Sequence, residues 1–371
     1  MCDFRGPETA LQVRVRGLPD GVFAQARVLD AHGDFEPREA VFRDGVLTLR
    51  KRGAGSAAFL VEFARGRSAS PREKVVFDTD IGGDVDDALA LTYLLNEPRC
   101  DLVGVTIESW GASGPRQAEI ASAFCRSFGR GDVPVRVGSG WGNLTGLRLG
   151  CDGRPVRPPR YWPAITNLPH AVFAESNDAV DFLRRTIREN PGEITLLATG
   201  HFTNLGALFA CDPKLPALLK RLVVMGGDMN GGGEWNQAYD PCATAAVFAN
   251  GNSLRPPETV VYPSNVTKIR RMKPADARAL FARAPKLDLS AKAAEYWFAD
   301  GMDLFFHDPI AAVGVFEPGI CGYTNVTVSV GIADRGRMTP DPRPQPGKGL
   351  LKVATSLDGD AFERMFLLPL K

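Results

Sequence analysis

Paired cysteines are absent from this sequence. No CxxC pair occurs, and the seven cysteines are scattered singly along the chain, at Cys2, Cys100, Cys125, Cys151, Cys211, Cys242 and Cys321. An odd number of scattered thiols fits neither a disulfide framework nor a zinc site built from closely spaced thiolates. We therefore expect reduced cysteines and no metal bound by sulfur.

Long apolar runs and a strong net charge are missing as well. No stretch is long and apolar enough to cross a bilayer, and residues 1–12 lack the apolar centre of a signal peptide. The formal net charge is +1 at pH 7, which gives no electrostatic basis for binding nucleic acid. We expect a soluble, cytoplasmic protein that binds neither nucleic acid nor membranes.

The N-terminal part of the chain has its own hydrophobic pattern. Residues 8–64 alternate apolar and polar positions in short runs separated by turn residues, which is typical of β-strands. About five strands are predicted there, and the polar stretch "RGRSASPREK" follows. We predict a small all-β module of unknown role at residues 1–64 and a linker at residues 65–74.

Residues 75–371 alternate strand-like with helix-like runs, such as "VVFD" before "DDALALTYLL" and "ITLLAT" before "TNLGALFA". This alternation predicts an α/β domain with a mostly parallel central sheet flanked by helices. Later helices are expected at 274–284, 290–299 and 308–316, and "TNVTVSVGIA" with "LLKVATSL" predicts a closing hairpin. Functional sites in such sheets gather at the carboxyl ends of the strands.

Five carboxylates crowd the end of the first strand of this domain. They are Asp78, Asp80, Asp84, Asp86 and Asp87. No Lys or Arg occurs from Val75 to Pro98. A helix N-terminus stabilises one or two carboxylates, but five like charges repel unless a cation neutralises them. Oxygen ligands without Cys or His nearby favour a hard cation, Ca²⁺ or Mg²⁺.

Three other interpretations of this cluster remain open from the residues alone. A solvated acidic loop with Asp86 as a helix N-cap needs no ion. An EF-hand loop shares the D-x-D spacing, but its twelfth position, counted from Asp78, is Leu89 rather than a bidentate Glu. A phosphatase of the haloacid-dehalogenase type has D-x-D-x-T after a strand, and Gly82 occupies the position of that threonine.

Four segments resemble the motifs of one enzyme family, in the order that the family has them. They are "DTDIGGDVDDALAL", "LLATGHFTNLGAL", "VVMGGDMNGGGEWNQAYDPCATAAVF" and "FFHDPIAAV". From about Lys74 to the C-terminus the chain resembles the inosine–uridine-preferring nucleoside hydrolases. The resemblance implies that a calcium-bound water, activated by Asp80, hydrolyses the N-glycosidic bond of a ribonucleoside to ribose and free base, in purine or pyrimidine salvage.

The resemblance also assigns roles to individual residues. The implied metal ligands are Asp80, Asp87, Thr199 through its backbone carbonyl, and Asp308. The implied ribose-binding residues are Asp86, Glu234 and Asn236. Asp80 is also the implied general base, and His307 is the residue expected to protonate the departing base. Asp308 on its own would equally fit a cap of the helix that follows it.

The chain departs from the family pattern in several places. The acidic loop has two extra residues, so Asp84 has no counterpart in the family. An asparagine that usually precedes E-x-N is missing, and Asn230 is expected to replace it as a substrate-binding residue. His201 replaces an apolar residue and is expected to be structural. The usual G-N after the second strand is missing too; the candidates to line the site instead are Glu108, Ser109 or Trp110.

Two further functions remain open. A non-catalytic, calcium-dependent protein that binds ribose or nucleosides would keep the metal ligands without turnover; the missing G-N weakly favours it, and the intact Asp80 argues against it. A phosphatase would release phosphate with Mg²⁺. Because members of the family commonly form dimers or tetramers, a homo-oligomer with a small nucleoside substrate is expected.

Overall fold

The protein divides into two compact units, Met1–Pro71 and Arg72–Lys371. A computed structural model describes residues 72–110, 113–138, 159–248, 258–341, 343 and 350–371, together with the backbone of seven strands within residues 1–71. The boundary between the units falls inside the stretch predicted as a linker, and residues 73 and 74 already belong to the first strand of the larger unit.

The smaller unit consists of antiparallel strands. They are β1 (Cys2–Gly6), β2 (Ala10–Arg14), β3 (Val22–Asp30), β4 (Gly33–Arg38), β5 (Ala40–Arg43), β6 (Val46–Arg50) and β7 (Gly55–Arg65). One sheet has the order β1–β7–β3–β4 and the other the order β2–β6–β5. The alternating segments correspond to β2, β3, β6 and β7, whereas β1, β4 and β5 were missed. Of these three strands, β4 and β5 lie within residues 8–64. Pro37 interrupts the first of them, and a proline is tolerated there because β4 is an edge strand.

The larger unit alternates strands and helices. Its strands are β8 (Glu73–Thr79), β9 (Cys100–Ile107), β10 (Val135–Val137), β11 (Ile194–Ala198), β12 (Arg221–Met225), β13 (Thr259–Tyr262), β14 (Arg271–Met272), β15 (Leu304–Phe305), β16 (Cys321–Gly331), β17 (Arg337–Asp341) and β18 (Leu351–Leu357). Its helices are α1 (Asp86–Asn96), α2 (Gly114–Ser127), α3 (Ala179–Glu189), α4 (Thr203–Cys211), α5 (Trp235–Tyr239), α6 (Pro241–Phe248), α7 (Ser264–Thr267), α8 (Pro274–Phe281), α9 (Asp288–Ala299), α10 (His307–Phe316) and α11 (Gly359–Leu367).

A nine-stranded sheet, in the order β10–β9–β8–β11–β12–β13–β18–β16–β17, forms the centre of this unit. Neighbours from β10 to β18 are parallel, whereas β16 pairs antiparallel with β18 and β17. Val75 and Phe77 pack into one hydrophobic core and Val76 into the other, so β8 is covered on both faces. That double burial explains its uninterrupted apolar run. The α/β prediction is confirmed.

The three helices predicted near the C-terminus are present as α8, α9 and α10. The predicted hairpin partners, β16 and β18, do pair antiparallel, but β17 lies between them in sequence and extends the sheet beyond β16. Across the described ranges, every helix is too short or too polar to traverse a lipid bilayer.

The register of the central strands brings their carboxyl ends together. Asp78 in β8 is paired with Thr106 in β9 and with Ala198 in β11. The backbone N–H of Thr199 donates to the carbonyl of Asp78, at 2.8 Å. Residues that follow β8, β9 and β11 therefore meet at one edge of the sheet, where the acidic loop lies.

Candidate active site

The acidic loop places buried carboxylates at the carboxyl end of β8. Asp80 directly follows the strand, and Asp86 and Asp87 form the first turn of α1. Asp80, Asp86 and Asp87 are 6%, 3% and 2% exposed, so none of them belongs to a solvated acidic loop. The N-cap position of α1 is occupied by Val85, which makes no capping side-chain bond, so Asp86 is not the cap either.

Asp308 joins this cluster from a distant part of the chain. It lies in the first turn of α10 and is 4% exposed. Its backbone N–H lies 3.5 Å from Oδ2 of Asp86, and its side chain bonds that of Asp87. Phe306 occupies the N-cap position of α10, so the side chain of Asp308 is directed to the cluster rather than to capping.

Hydroxyl groups orient the carboxylate of Asp87. The Thr79 hydroxyl donates to its Oδ1, and the Thr199 hydroxyl lies 3.3 Å from the same atom. The half-buried Asp84 offers a carboxylate oxygen that lies within 4.8 Å of oxygens from Asp86 and Asp87. The extra residue of the loop is thus part of the cluster, although the resemblance gave it no role.

The carboxylates of the cluster disfavour one another's ionised forms. Burial and the charge of Asp84 together raise the pKa of Asp87 to about 7, against hydrogen bonds that lower it. Burial also raises the pKa of Asp80, with added repulsion from Asp87 and Asp84. The pKa of Asp308 is raised by burial and by Asp86 in the same way. A bound cation would remove this repulsion, so the donor set fits a hard metal ion.

Two groups hold Asp80 in place. The indole N–H of Trp110 donates to its Oδ2 at 3.0 Å, and the side-chain amide of Gln117 donates to its backbone carbonyl at 3.1 Å. Trp110 was one of three residues expected to line the site from the segment that lacks G-N. Gln117 lies on α2, outside every recognised motif, so only the packed structure reveals its contact.

Glu234 and Asn236 lie at the start of α5. Glu234 is the N-cap, and its carboxylate accepts the backbone N–H groups of Asn236 at 2.8 Å and Gln237 at 2.9 Å. The Asn236 amide donates to the carbonyl of Thr199 at 2.6 Å. This carbonyl was the implied metal ligand; its oxygen has two lone pairs and can serve an amide and a cation together.

His307 lies beside the cluster with one ring nitrogen engaged. Its Nδ1 is 2.6 Å from the Thr267 hydroxyl, and the ring of Phe305 stacks on it with centroids 5.2 Å apart. Burial lowers the pKa of His307; the Lys268 ammonium lowers it further, and Asp84 opposes them. The imidazole is therefore mainly neutral at neutral pH.

The turn that contains Asn230 exposes this residue and buries its neighbour instead. The Asn230 backbone N–H donates to Asp228 at 2.9 Å, and Asp228 is 4% exposed. Asp228 also accepts from the Ser264 hydroxyl at 3.2 Å and from the Lys268 ammonium at 3.4 Å. Asp228 is a candidate substrate-binding residue that the motif resemblance did not identify, because it lies in the segment that departs from the family pattern.

A buried polar network lies behind the cluster. The carboxyl groups of Asp78 and Glu108 bond each other, and burial raises the pKa of both. A Glu108 oxygen lies 3.1 Å from Nδ1 of His201. Burial lowers the pKa of His201 to about 4, so its imidazole is neutral at neutral pH and this contact is not an ion pair. The fully buried His201 ring stacks on Tyr239, which is consistent with the expected structural role.

Tyr161 is a second residue that no motif signalled. Its side chain is fully buried, and its hydroxyl lies by the backbone of Gly82 in the acidic loop. Burial raises its pKa, and the charges of Asp87, Asp84 and Asp86 raise it further, which places the hydroxyl beside the cluster. It adds a hydrogen-bonding group to the wall of the site.

The mostly parallel sheet with buried carboxylates at its carboxyl edge is an α/β fold with a candidate site for a hard cation. The family model described as inosine-uridine preferring nucleoside hydrolase matches residues 75–364. The chain therefore belongs to the inosine-uridine preferring nucleoside hydrolase family.

Relatives support this assignment along most of the larger unit. A protein named pyrimidine-specific ribonucleoside hydrolase RihA from Klebsiella pneumoniae is 28% identical over 282 residues, which covers 71% of this chain and 86% of that protein. Uridine nucleosidase 1 from Arabidopsis thaliana is 26% identical over 280 residues, covering 72% and 81%. A solved plant nucleoside hydrolase is similar in fold, with a TM-score of 0.66 at 24% identity, covering 81% and 99%.

Proposed function

We propose that this protein hydrolyses the N-glycosidic bond of ribonucleosides to ribose and the free base, with Ca²⁺ in the acidic cluster. The observation that carries the proposal is the convergence of Asp80, Asp86, Asp87 and Asp308 in a buried cluster at the carboxyl edge of the sheet. Both sequence relatives described above are named for pyrimidine nucleosides, so uridine is the substrate that we would assay first.

The proposed metal ligands are Asp80, Asp87, Asp308 and the carbonyl of Thr199, with Asp84 as an additional candidate. All offer oxygen atoms, and no sulfur or imidazole ligand is required, which suits Ca²⁺ or Mg²⁺ rather than zinc. The choice of Ca²⁺ over Mg²⁺ follows the resemblance to the family, since the donor set suits both ions. When bound, calcium would supply positive charge to the carboxylates and coordination for sugar hydroxyls.

Asp80 would accept the proton of the attacking water. Its Oδ2 is held by the Trp110 indole, which leaves the other oxygen for the site. Burial raises its pKa, and the charges of Asp87 and Asp84 raise it further. Asp86, Glu234 and Asn236 would hold the ribose, which orients its anomeric carbon toward the water.

His307 would assist the departure of the base. The Thr267 hydroxyl is hydrogen-bonded to Nδ1 of His307. In the tautomer in which this hydroxyl donates to Nδ1, the proton of the neutral imidazole lies on Nε2, where it can be donated to the leaving group. A nucleobase leaves poorly as an anion and needs this proton, whereas a nitrophenolate does not. Natural nucleosides and p-nitrophenyl riboside therefore differ in their dependence on His307.

The test compares kcat/KM for uridine and p-nitrophenyl riboside in three variants. We expect His307→Ala to reduce hydrolysis of uridine by about 10²–10⁴-fold and to spare p-nitrophenyl riboside largely. Thr267→Val keeps the imidazole and removes the hydroxyl, so it should give a smaller loss with the same selectivity. Asp80→Asn should impair both substrates. Equal losses for both substrates in His307→Ala would exclude leaving-group protonation by this residue.

Two alternatives are separated by the products. A non-catalytic nucleoside-binding protein would bind uridine in a calorimeter but release no ribose, and a phosphatase would release phosphate from phosphate esters with Mg²⁺.

We also propose that the protein is cytoplasmic, that neither nucleic acid nor membrane is a partner, that it forms a homo-oligomer, and that residues 1–64 are a separate module. The net charge of +1 supports the absence of a nucleic-acid partner.

A further inference from the structure

The acidic loop and the segment after β9 contact each other through one indole ring. Trp110 follows β9 and is 9% exposed. Its indole N–H donates to Oδ2 of Asp80 at 3.0 Å. The other end of the same ring lies against Gly83, the second glycine of the loop. One side chain thus touches both the proposed base and the loop that carries the other carboxylates.

Gly83 leaves the space that the indole occupies. A Cβ atom built on Gly83 would lie 2.3 Å from Cη2 and 2.9 Å from Cζ2 of Trp110, far inside van der Waals contact. The backbone of Gly83 does not have a positive φ, unlike that of Gly82 at +124°. A side chain at position 83 is therefore excluded by a clash with the indole, and not by the backbone conformation.

Gln117 holds the backbone of Trp110 in place. Its side-chain oxygen accepts the backbone N–H of Trp110 at 3.0 Å, and its amide donates to the carbonyls of Asp80 at 3.1 Å and Glu108 at 3.3 Å. Gln117 is fully buried on α2. The backbone positions of both Trp110 and Asp80 are consequently tied to one helix.

We propose that Trp110 is a positioning residue for Asp80, and that Gly83 is a glycine in order to admit its indole. The inference rests on the proposed hydrolytic function and on Asp80 as its base. By holding Oδ2, the indole fixes the rotation of the carboxylate, so that its other oxygen faces the cluster. Trp110 lies in the segment where the family's usual G-N is missing.

The test uses two single variants and their combination. Trp110→Phe keeps an aromatic ring but removes the N–H and the two ring atoms that approach Gly83. Gly83→Ala keeps the indole and displaces it from Asp80. Each should lower kcat for uridine by about 10- to 100-fold, the worth of a hydrogen bond to a charged group, with KM changed less than kcat.

The double variant distinguishes positioning from general damage. Phenylalanine lacks the atoms that would clash with a methyl group at position 83, so Gly83→Ala/Trp110→Phe should be no worse than Trp110→Phe alone. A double variant whose loss equals the product of the two single losses would overturn the proposal. So would wild-type kcat in Trp110→Phe.

A spectroscopic measurement tests the same contact without turnover. The chain has five tryptophans, and we expect calcium titration to change the fluorescence of the wild type through Trp110. This change should vanish in Trp110→Phe. It should persist in the control Trp297→Phe, which also loses an indole hydrogen bond, donated to the carbonyl of Asp303 at 2.7 Å. An unchanged calcium-dependent signal in Trp110→Phe would overturn the proposal.

The two hypotheses fail in different ways. If the wild type releases no ribose from any ribonucleoside, the proposed function is wrong, and the fluorescence titration still decides whether Trp110 senses the cluster. If the wild type is active and Trp110→Phe matches it in kcat, the function stands and the positioning role is excluded.

Discussion

Asp308→Asn should change stability in opposite directions without and with metal. Burial and the charges of Asp86, Asp87 and Asp84 raise the pKa of Asp308, which is the signature of like charges held together. In protein treated with a chelator at pH 8, neutralising Asp308 removes part of this repulsion. In protein loaded with calcium, the same substitution removes a proposed ligand charge.

The size of the effect follows from simple electrostatics. Two carboxylates about 5 Å apart repel by roughly 3 kcal/mol at an effective dielectric constant of about 20. Partial protonation reduces this repulsion, and the loss of a charge at the N-terminus of α10 costs up to about 1 kcal/mol. We expect a net gain of about 1–2 kcal/mol in the free energy of unfolding in chelator. This corresponds to a rise of about 2–4 °C in Tm at about 2 °C per kcal/mol.

Calcium should reverse the order of the two proteins. At a concentration about 100 times the wild-type Kd, calcium stabilises the wild type by about 2.7 kcal/mol. If the substitution weakens binding about 100-fold, the same concentration stabilises the variant by only about 0.4 kcal/mol. Differential scanning fluorimetry in chelator and in a calcium series measures both effects.

Asp276→Asn is a matched control for this experiment. Asp276 also lies in the first turn of a helix, α8, but it is exposed and outside the cluster. Its substitution should lower Tm slightly and equally in both conditions. If Asp308→Asn lowers Tm equally in chelator and in calcium, Asp308 is a structural helix residue and the metal cluster has been misassigned.

Three other predictions follow from the same structure. Asp80→Asn should lower kcat/KM for uridine by about 10²–10⁴-fold, and Asp84→Asn by less, because Asp84 is partly exposed and is not the proposed base; equal losses would contradict these roles. Burial raises the pKa of Glu73, but hydrogen bonds from Lys220 and Thr195 and the charge of Arg221 outweigh it and lower the value below 4.5. Glu73 therefore contributes stability above that pH that is lost as pH falls through its folded pKa, so Tm should fall less on acidification in Glu73→Gln than in the wild type. Residues 72–371 expressed alone should retain uridine hydrolysis; a folded but inactive product would show that the N-terminal module completes the site.

The strands and helices of the larger unit could be predicted because their burial is reflected in the local sequence pattern of apolar and polar residues. The apolar run of β8 is continuous because both of its faces are covered, and α8 begins at Pro274, where a proline suits the first turn. The edge strand β17 was missed because "RMTPD" has no apolar run and pairs with only one neighbour, β16. Local pattern therefore predicts buried elements better than edges.

The acidic loop could be recognised from the sequence because its charges crowd within ten residues. Its partners could not be located by spacing, since Trp110 is 30 positions from Asp80 and the backbone of Asp308 is 222 positions from Asp86. Motif resemblance suggested Asp308, but nothing in the sequence pointed to Gln117 or Tyr161. Contacts of that kind depend on how helices and loops pack at the edge of the sheet.

The most direct test of the central claim is release of ribose from uridine by the purified chain of 371 residues. The reducing sugar should form in equal amounts with free uracil, should fall to background after exhaustive chelation, and should return when Ca²⁺ is added back. Undiminished ribose release from fully chelated protein would contradict the metal cluster, and absence of ribose from every ribonucleoside in the presence of Ca²⁺ would contradict the hydrolase.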